Sequence, residues 1–355
     1  MSFSLGIVGL PNVGKSTLFN ALLKNKQAEA SNYPFCTIDP NVGIVEVPDQ
    51  RLAKLAKIDS PEKIIPTAIE FYDIAGLVKG AHKGEGLGNQ FLSHIREVKA
   101  IIHVVRIFED KDITHVDGDI DPTRDVETID LELILADLKM AETTFRKAQK
   151  EARSGDKEWG LKRDLLAKIV ENLEKSVPLR EVTFDDEEQA FLKEYIFLTI
   201  KPVLYVLNVS EDQLKEEIDF PFKPAVKISA KMETDLNDFS DEEVADYLAE
   251  YNLEEPGLER LVKESYSLLN LITFLTSGPK ESRAWTVRNS AKAPEAAGVI
   301  HSDFADKFIR AEVISYEDYI KYQGESGAKE NGLMRVEGKD YEMQDGDVVH
   351  FRVGN

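Results

Sequence analysis

The chain has 355 residues, of which 42% are hydrophobic and 31% charged, and this balance predicts a soluble globular protein of two or three domains. A formal net charge of −21 argues against sequence-independent attraction to nucleic acid or to an anionic membrane, so any RNA contact needs a local basic surface. The single cysteine, Cys36, excludes an internal disulfide, and no apolar run reaches the roughly 18 residues that span a bilayer, so we expect a cytoplasmic protein with no membrane partner.

A glycine-rich loop follows the first predicted strand. The apolar run 3–8 leads into Gly9-Leu10-Pro11-Asn12-Val13-Gly14-Lys15-Ser16, which matches G-x-x-x-x-G-K-[ST] and precedes a stretch with helical spacing. Backbone amides and the helix N-terminus can hold phosphate oxygens, Lys15 can reach the terminal phosphates, and the Ser16 hydroxyl can bind Mg²⁺. A tight strand-to-helix turn is the structural alternative. The predicted phosphate-binding residues are Asn12, Val13, Gly14, Lys15, Ser16 and Thr17.

Two further segments predict contacts with the metal and the γ-phosphate. Thr37 is the candidate for a second Mg²⁺ hydroxyl, and an ordinary turn residue is the alternative. Asp73-Ile74-Ala75-Gly76 ends the predicted strand 69–73 and matches D-x-x-G, which would place Asp73 near Mg²⁺ and the Gly76 amide at the γ-phosphate. Leu77 follows where Ras-like GTPases carry a glutamine that orients water. Since leucine cannot hydrogen-bond water, we expect slow intrinsic hydrolysis. The glycine-rich segment 79–89 reads as a flexible lid.

Two continuous apolar runs, 100–108 and 202–209, predict central strands of a parallel sheet covered on both faces. With the strands predicted at 3–8, 42–47 and 69–73 they indicate an α/β, doubly wound domain whose ligands bind at the carboxyl ends of the strands.

A helical insertion interrupts this domain between residues 121 and 199. Two apolar stripes at helical spacing are separated by Ser154-Gly155-Asp156, which predicts the tip of a helical hairpin, and Phe191, Tyr195 and Leu198 predict a third helix. Basic residues gather near the tip and offer a contact for RNA or an acidic partner, although a solvated helix face is an equal alternative. They are Arg146, Lys147, Lys150, Arg153, Lys157, Lys162 and Arg163.

The residues that would bind the base follow the strand 202–209. Guanine specificity normally comes from N-K-x-D, but this position holds Asn208-Val209-Ser210-Glu211, which lacks the lysine and has a longer carboxylate. This change removes a reason to prefer GTP without proving a preference for ATP. Ser229, Ala230 and Lys231 follow the next apolar segment and fit a loop that closes over the base.

The residues after Pro279 predict a small α+β module. Strands are expected at 283–287, 308–314 and 348–353, and Pro294 opens a short helix. The predicted division is therefore a nucleotide-binding domain formed by residues 1–120 and 200–277, a helical, coiled-coil-like domain at 121–199 and a third domain at 278–355.

Taken together, these motifs resemble the YchF / Obg-like ATPase family, a translation-factor class of P-loop NTPases. The likeness covers the glycine-rich loop, residues 32–37, residues 73–90 and the N-x-x-E motif, while the carboxyl-terminal residues look like a TGS domain of β-grasp type. The resemblance implies an ATP-preferring hydrolase that associates with ribosomes, with Asn208, the Val209 backbone and Glu211 setting the base preference. It also implies that His115 assists hydrolysis and that Asn12 could hold K⁺.

The leading hypothesis is thus a slow, Mg²⁺-dependent ATPase that acts as a switch on the ribosome. Lys15, Gly76 and His115 are the catalytic candidates, and Ser16, Thr37 and Asp73 are the metal candidates. The hairpin tip and the TGS-like domain would contact the large ribosomal subunit, through rRNA or tRNA. The alternatives are a GTPase ribosome-assembly factor and an RNA- or protein-binding adaptor that nucleotide merely stabilises.

Overall fold

The computed structural model describes residues 3–26, 41–74, 87–110 and 118–354, which form two mixed sheets and a helical hairpin. Its strands are β1 (Ser4–Val8), β2 (Val42–Glu46), β3 (Lys63–Ile65), β4 (Ala68–Asp73), β5 (Ala100–Arg106), β6 (Val203–Asn208), β7 (Ala225–Ile228), β8 (Leu271–Thr276), β9 (Glu281–Arg288), β10 (Phe308–Ile314), β11 (Arg335–Glu337) and β12 (Val348–Val353). Its helices are α1 (Lys15–Lys26), α2 (Gln50–Asp59), α3 (Leu87–Glu97), α4 (Pro122–Glu151), α5 (Lys157–Glu174), α6 (Asp186–Leu192), α7 (Ala230–Leu236), α8 (Asp241–Tyr251), α9 (Gly257–Leu268), α10 (Ala293–Ile300), α11 (Ser302–Asp306), α12 (Tyr316–Lys321) and α13 (Glu325–Glu330).

The first sheet has the strand order β2-β4-β1-β5-β6-β7. Its strands are parallel except β2, which pairs antiparallel with β4 at one edge. Both β5 and β6 are buried along their whole length, as the continuous apolar runs predicted. The predicted strand 100–108 ends earlier, at Arg106. The doubly wound α/β domain is confirmed, and the carboxyl ends of β1, β5 and β6 meet at one edge of the sheet.

The inserted domain is a hairpin of the 30-residue α4 and the 18-residue α5. Asp121 caps the N-terminus of α4. Asp156 caps the N-terminus of α5, so the chain reverses between the two helices at the predicted tip. Apolar side chains between the helices are buried, namely Ile134, Ala141, Ala148, Leu165, Leu166, Ile169 and Leu173. The hairpin therefore has its own core.

The predicted third helical stripe is wrong beyond Phe191. Helix α6 ends at Leu192, and Tyr195 and Leu198 lie outside it. The buried Asp137 carboxylate on α4 accepts hydrogen bonds from the Leu198 and Thr199 amides at 2.9 and 2.8 Å. These bonds hold the amides in a loop conformation instead of a helix.

The second sheet has the order β11-β10-β12-β8-β9-β3 and forms the carboxyl-terminal module with two contributions from earlier in the chain. Strand β3 pairs parallel with β9, and helix α2 packs on the face that carries Leu275 and Ile314. Strand β8 belongs to this sheet as well, although its residues precede 278. The domain boundaries stay a prediction, and the pairing of β8 favours a start of the third domain at residue 271.

Side chains of the segment 49–67 fasten it to this second sheet. The Arg51 guanidinium donates to the Asp345 carboxylate at 2.6 Å, and the Tyr319 hydroxyl donates to the Asp59 carboxylate at 2.7 Å. Thr67 and Thr286 share a hydrogen bond between buried hydroxyls. The segment therefore leaves the first sheet after β2, joins the second sheet and returns to β4.

A buried histidine in β5 predicts acid sensitivity of the fold. His103 is 2% exposed, and burial, together with the positive charges of Arg180 and Lys15, lowers its pKa to about 3. The unfolded chain therefore binds a proton below pH of about 6.5 that the folded chain does not bind until about pH 3. This single difference should reduce the free energy of unfolding by about 2 kcal/mol on acidification from pH 7 to about 5.

The test compares urea unfolding of the wild type and of His103→Gln across this pH range. In the variant, the free energy of unfolding should depend less on pH than in the wild type, whatever the variant's stability at pH 7. His94→Gln replaces an exposed histidine on α3 and serves as the comparison substitution. Equal slopes for His103→Gln and the wild type would refute the prediction.

Candidate nucleotide-binding site

The glycine-rich loop joins β1 to α1 in the geometry that its motif requires. Gly14 has a φ of 97°, a conformation that favours glycine, and a Cβ at this position would lie 2.2 Å from the Asn208 amide nitrogen. The Leu18 amide donates to the Gly14 carbonyl at 2.9 Å, which starts the helix. The remaining first-turn amides of α1 therefore point toward the loop, where phosphate oxygens can accept from them.

The Lys15 side chain is folded back over this loop. It is only 8% exposed, and its ammonium group donates to the Leu10 carbonyl at 2.8 Å. Burial lowers the Lys15 pKa, while the nearby Asp73 carboxylate acts in the opposite direction. A buried ammonium group with one backbone acceptor is suited to receive an anionic phosphate.

The Ser16 hydroxyl and the Asp73 carboxylate lie 3.0 Å apart, so the start of α1 meets the end of β4. Hard oxygen donors of this kind suit Mg²⁺, which takes few protein ligands and keeps waters and phosphate oxygens as the others. Both residues therefore fit the predicted metal roles. Thr37, Gly76, Leu77 and His115 lie outside the described residues.

Asn208, the last residue of β6, connects the phosphate loop to the loop after β7. Its side-chain amide donates to the Val13 carbonyl at 2.9 Å and accepts from the Ala230 amide at 3.0 Å. Asn208 is buried, so both bonds are shielded from water. This residue therefore fixes the spacing between the phosphate end and the base end of the site.

Hydrogen bonds around the N-x-x-E motif show which of its groups can still bind a ligand. The Val209 amide donates to the Ile228 carbonyl at 2.9 Å, so Val209 has only its backbone carbonyl to offer a ligand. The exposed Glu211 carboxylate accepts from the Tyr251 hydroxyl, and this bond raises the Tyr251 pKa to about 12. Ser229 occupies the N-cap position of α7 without a side-chain capping bond, and Lys231 lies in the first turn, where amides lack partners within the helix.

These groups line one cavity of about 780 Å³. Its lining contains nearly all the predicted nucleotide-binding residues, namely Asn12, Gly14, Lys15, Ser16, Thr17, Asn208, Val209, Glu211, Ser229, Ala230 and Lys231. Val13 is buried and contributes the carbonyl that Asn208 holds. The cavity therefore extends from the phosphate loop to the motif that would bind the base.

The sequence analysis missed one wall of this cavity. Phe108, Glu109 and Asp110 line it beside the motif at Asn208. The available signal was their position directly after an apolar strand, since the carboxyl ends of parallel strands meet at the ligand edge.

Two other cavities lie away from this edge. One of about 930 Å³ is lined by residues of the helical insertion and the start of β6, and one of about 620 Å³ lies on the second sheet. Neither contains residues of the glycine-rich loop. The chemistry of phosphate binding therefore favours the 780 Å³ cavity.

Within the described ranges, none of the helices has the length and apolar character needed to cross a membrane.

A buried lysine in a strand-loop-helix phosphate cradle, with an adjacent hydroxyl and carboxylate, defines a P-loop nucleoside triphosphatase. Comparison with known proteins agrees and narrows the class: a family model described as "50S ribosome-binding GTPase" matches residues 4–139, and the YchF-GTPase_C model, described as "Protein of unknown function (DUF933)", matches residues 271–354. The chain belongs to the YchF family.

Relatives that align over nearly the whole chain support the assignment to the YchF family. The ribosome-binding ATPase YchF of Haemophilus ducreyi is 53% identical over 361 residues, and that of Bacillus subtilis is 52% identical over 364 residues, each alignment covering 99% of both chains. The solved structure of the Schizosaccharomyces pombe YchF GTPase superposes with a TM-score of 0.89 at 36% identity and covers 99% of this chain and 98% of that one. The similarity therefore includes the insertion and the carboxyl-terminal module.

Proposed function

We propose that this protein is a cytoplasmic, Mg²⁺-dependent ATPase that works as a slow switch on the ribosome. One observation carries the proposal: a single cavity joins the phosphate loop to an N-x-x-E motif in the position of the guanine-reading motif. The names of the relatives differ between ATPase and GTPase. The base preference must therefore be argued from the cavity.

The polar groups at the base end favour adenine. Adenine has a donor in its exocyclic amine, which the Val209 carbonyl can accept, and an acceptor in its ring, which the Lys231 amide can meet. Guanine needs a carboxylate facing its ring N–H and its amine, but the Glu211 carboxylate is bonded to Tyr251 instead. GTP hydrolysis by an assembly factor remains the second candidate.

The described contacts of Lys15, Ser16 and Asp73 support their proposed roles, and the other roles rest on the sequence motifs. Lys15 would neutralise the β- and γ-phosphates, and Ser16, Thr37 and Asp73 would hold Mg²⁺, which would offset the phosphate charge. Gly76 would sense the γ-phosphate and His115 would assist hydrolysis in place of Leu77. A K⁺ ion at Asn12 is a further part of the proposal.

The test of the base preference is competition for a fluorescent ATP analogue bound to the Mg²⁺-loaded protein. We expect ATP to displace the analogue at concentrations about fivefold or more below those of GTP, because unmatched polar groups on the base cost at least about 1 kcal/mol. A GTP preference would overturn the ATPase proposal and leave the GTPase candidate.

A variant pair locates the cause of the preference. V209K combined with E211D restores N-K-x-D and should move the ATP-to-GTP ratio toward GTP. Tyr251→Phe tests the contribution of the Tyr251 bond alone, because it releases Glu211 without altering the motif and should move the ratio toward GTP by less than V209K/E211D. An unchanged ratio in V209K/E211D would show that the motif does not select the base.

The hairpin tip is the proposed RNA contact, and the structure narrows its members. Lys162 is bonded to Glu158 and Glu194 at 3.0 and 2.9 Å, so this side chain belongs to the hairpin's own ion pairs. The exposed basic residues nearest the turn are Lys147, Lys150, Arg153 and Lys157. Together with the carboxyl-terminal module they would reach rRNA or tRNA on the large subunit.

Charge reversal at the tip should weaken ribosome binding. We expect K150E/R153E to lower co-sedimentation affinity by about tenfold or more at low salt, because two phosphate neutralisations are lost. K139E/K175E is the matched control, since it changes the net charge equally and both exposed lysines lie on the same hairpin away from the tip. Equal losses in both proteins would mean that net charge alone, and not the tip, determines binding.

A further inference from the structure

Arg106 is a buried cation at the edge of the proposed nucleotide cavity. It is the last residue of β5, lies in register with Asn208 on β6 and is 1% exposed. By volume it leads the fully buried side chains of the described residues. A charge in that environment is costly unless hydrogen bonds compensate it, so its partners show what it stabilises.

Among the described residues, its partners form one wall of the cavity. The Arg106 Nε donates to the Phe108 carbonyl at 3.1 Å, and an Nη donates to the Asp110 carbonyl at 3.2 Å. The guanidinium carbon also lies 4.5 Å from the centroid of the Phe108 ring. Arg106 thus holds this segment by two backbone carbonyls and by a cation–π contact.

The same segment is tied to the base-reading motif. The Asn208 carbonyl accepts from the Ile107 amide at 2.9 Å and from the Phe108 amide at 3.2 Å. The Asn208 side chain already spans Val13 and Ala230. Asn208 therefore fixes the start of this segment, and Arg106 fixes its course along the cavity as far as Asp110.

We propose that Arg106 is a positioning residue for nucleotide affinity: it sets the Phe108–Asp110 wall against the bound nucleotide and takes no part in hydrolysis. This inference rests on the proposed nucleotide site. It predicts a change in nucleotide binding, whereas a purely structural role would change only the stability of the protein.

The chemistry of the guanidinium makes this distinction testable. Only a planar group with several donors can serve two carbonyls and a ring face at once, and a lysine offers a compact charge without that fork. Arg106→Lys therefore keeps the charge and loses the geometry. Arg106→Met keeps most of the volume and loses the donors.

The experiment measures the Kd for a fluorescent ATP analogue, KM and kcat for ATP, and the Tm of the nucleotide-free protein. We expect Arg106→Lys to raise Kd and KM by about tenfold, the loss of roughly one hydrogen bond to a charged group, with kcat unchanged. Arg106→Met should raise them further. Arg260→Lys is the control, because Arg260 also donates to a backbone carbonyl, that of Lys227, but does not line the cavity.

A lowered Tm with unchanged Kd and KM in Arg106→Lys would overturn the proposal. If the Arg106 variants do not fold, Phe108→Ala removes the held ring from the half-buried wall and should still raise Kd by a similar factor; an unchanged Kd would again count against it. Absence of analogue binding by the wild type, or equal binding by Lys15→Ala, would instead refute the nucleotide site itself.

Discussion

Lys15→Ala is expected to lower kcat for ATP hydrolysis by about 10²–10³-fold and to weaken ATP binding. The Lys15 ammonium is held inside the phosphate loop by the Leu10 carbonyl. Removal of a preorganised charge from a site where charge develops in the transition state typically has an effect of that size. Single-turnover hydrolysis and binding of the fluorescent ATP analogue measure the two losses separately.

A second lysine on the same helix provides the control. Lys24 pairs with Asp238 at 2.6 Å, and its side chain is 48% exposed. Surface ion pairs contribute about 0–1 kcal/mol, so Lys24→Ala should leave kcat and nucleotide affinity near the wild-type values. Hydrolysis by Lys15→Ala at the wild-type rate would rule out catalysis at this loop.

Asn208→Leu is expected to destabilise the fold even without nucleotide. It keeps the approximate shape of the side chain but leaves the Val13 carbonyl and the Ala230 amide without their buried partner. Each unpaired buried group costs about 1–3 kcal/mol, so the free energy of unfolding should fall by about 2–6 kcal/mol. Urea unfolding of the nucleotide-free protein measures this change.

Asn237→Leu is the matched substitution, since the Asn237 amide makes a long contact of 3.4 Å to the Ala21 carbonyl and its oxygen has no partner among the described groups. This variant should lose less stability than Asn208→Leu and should bind nucleotide normally. A stability of Asn208→Leu within about 1 kcal/mol of the wild type would show that water replaces the lost bonds.

The sequence predicted those parts of the fold that local patterns encode. The apolar runs of β5 and β6 identified the centre of the first sheet, and the spacing of Gly14, Lys15 and Ser16 identified the phosphate loop. The turn at Gly155 located the hairpin tip. In each case the signal lies within a few consecutive residues, where periodicity or backbone conformation is specified directly.

Long-range pairings were not predictable in this way. Tyr251 reaches Glu211 across 40 positions, and Asp137 takes the amides of Leu198 and Thr199 more than 60 positions away. Arg106 lies inside the apolar run 100–108, and nothing in its neighbours shows that its charge would be buried. Such contacts depend on which elements the topology brings together, so the sequence could indicate the ligands but not the groups that hold them.

The strand β3 limits how this protein can be divided or recombined. A cut at residue 270 would separate the carboxyl-terminal sheet from β3 and from the Arg51 partner of Asp345. A graft of residues 271–354 between relatives would thus place a foreign sheet against the host's own residues 49–67. Residues 49–67 lie between β2 and β4, and β4 ends at Asp73. Because they also pair with the second sheet, they constrain sequence changes in the last 85 residues of the chain.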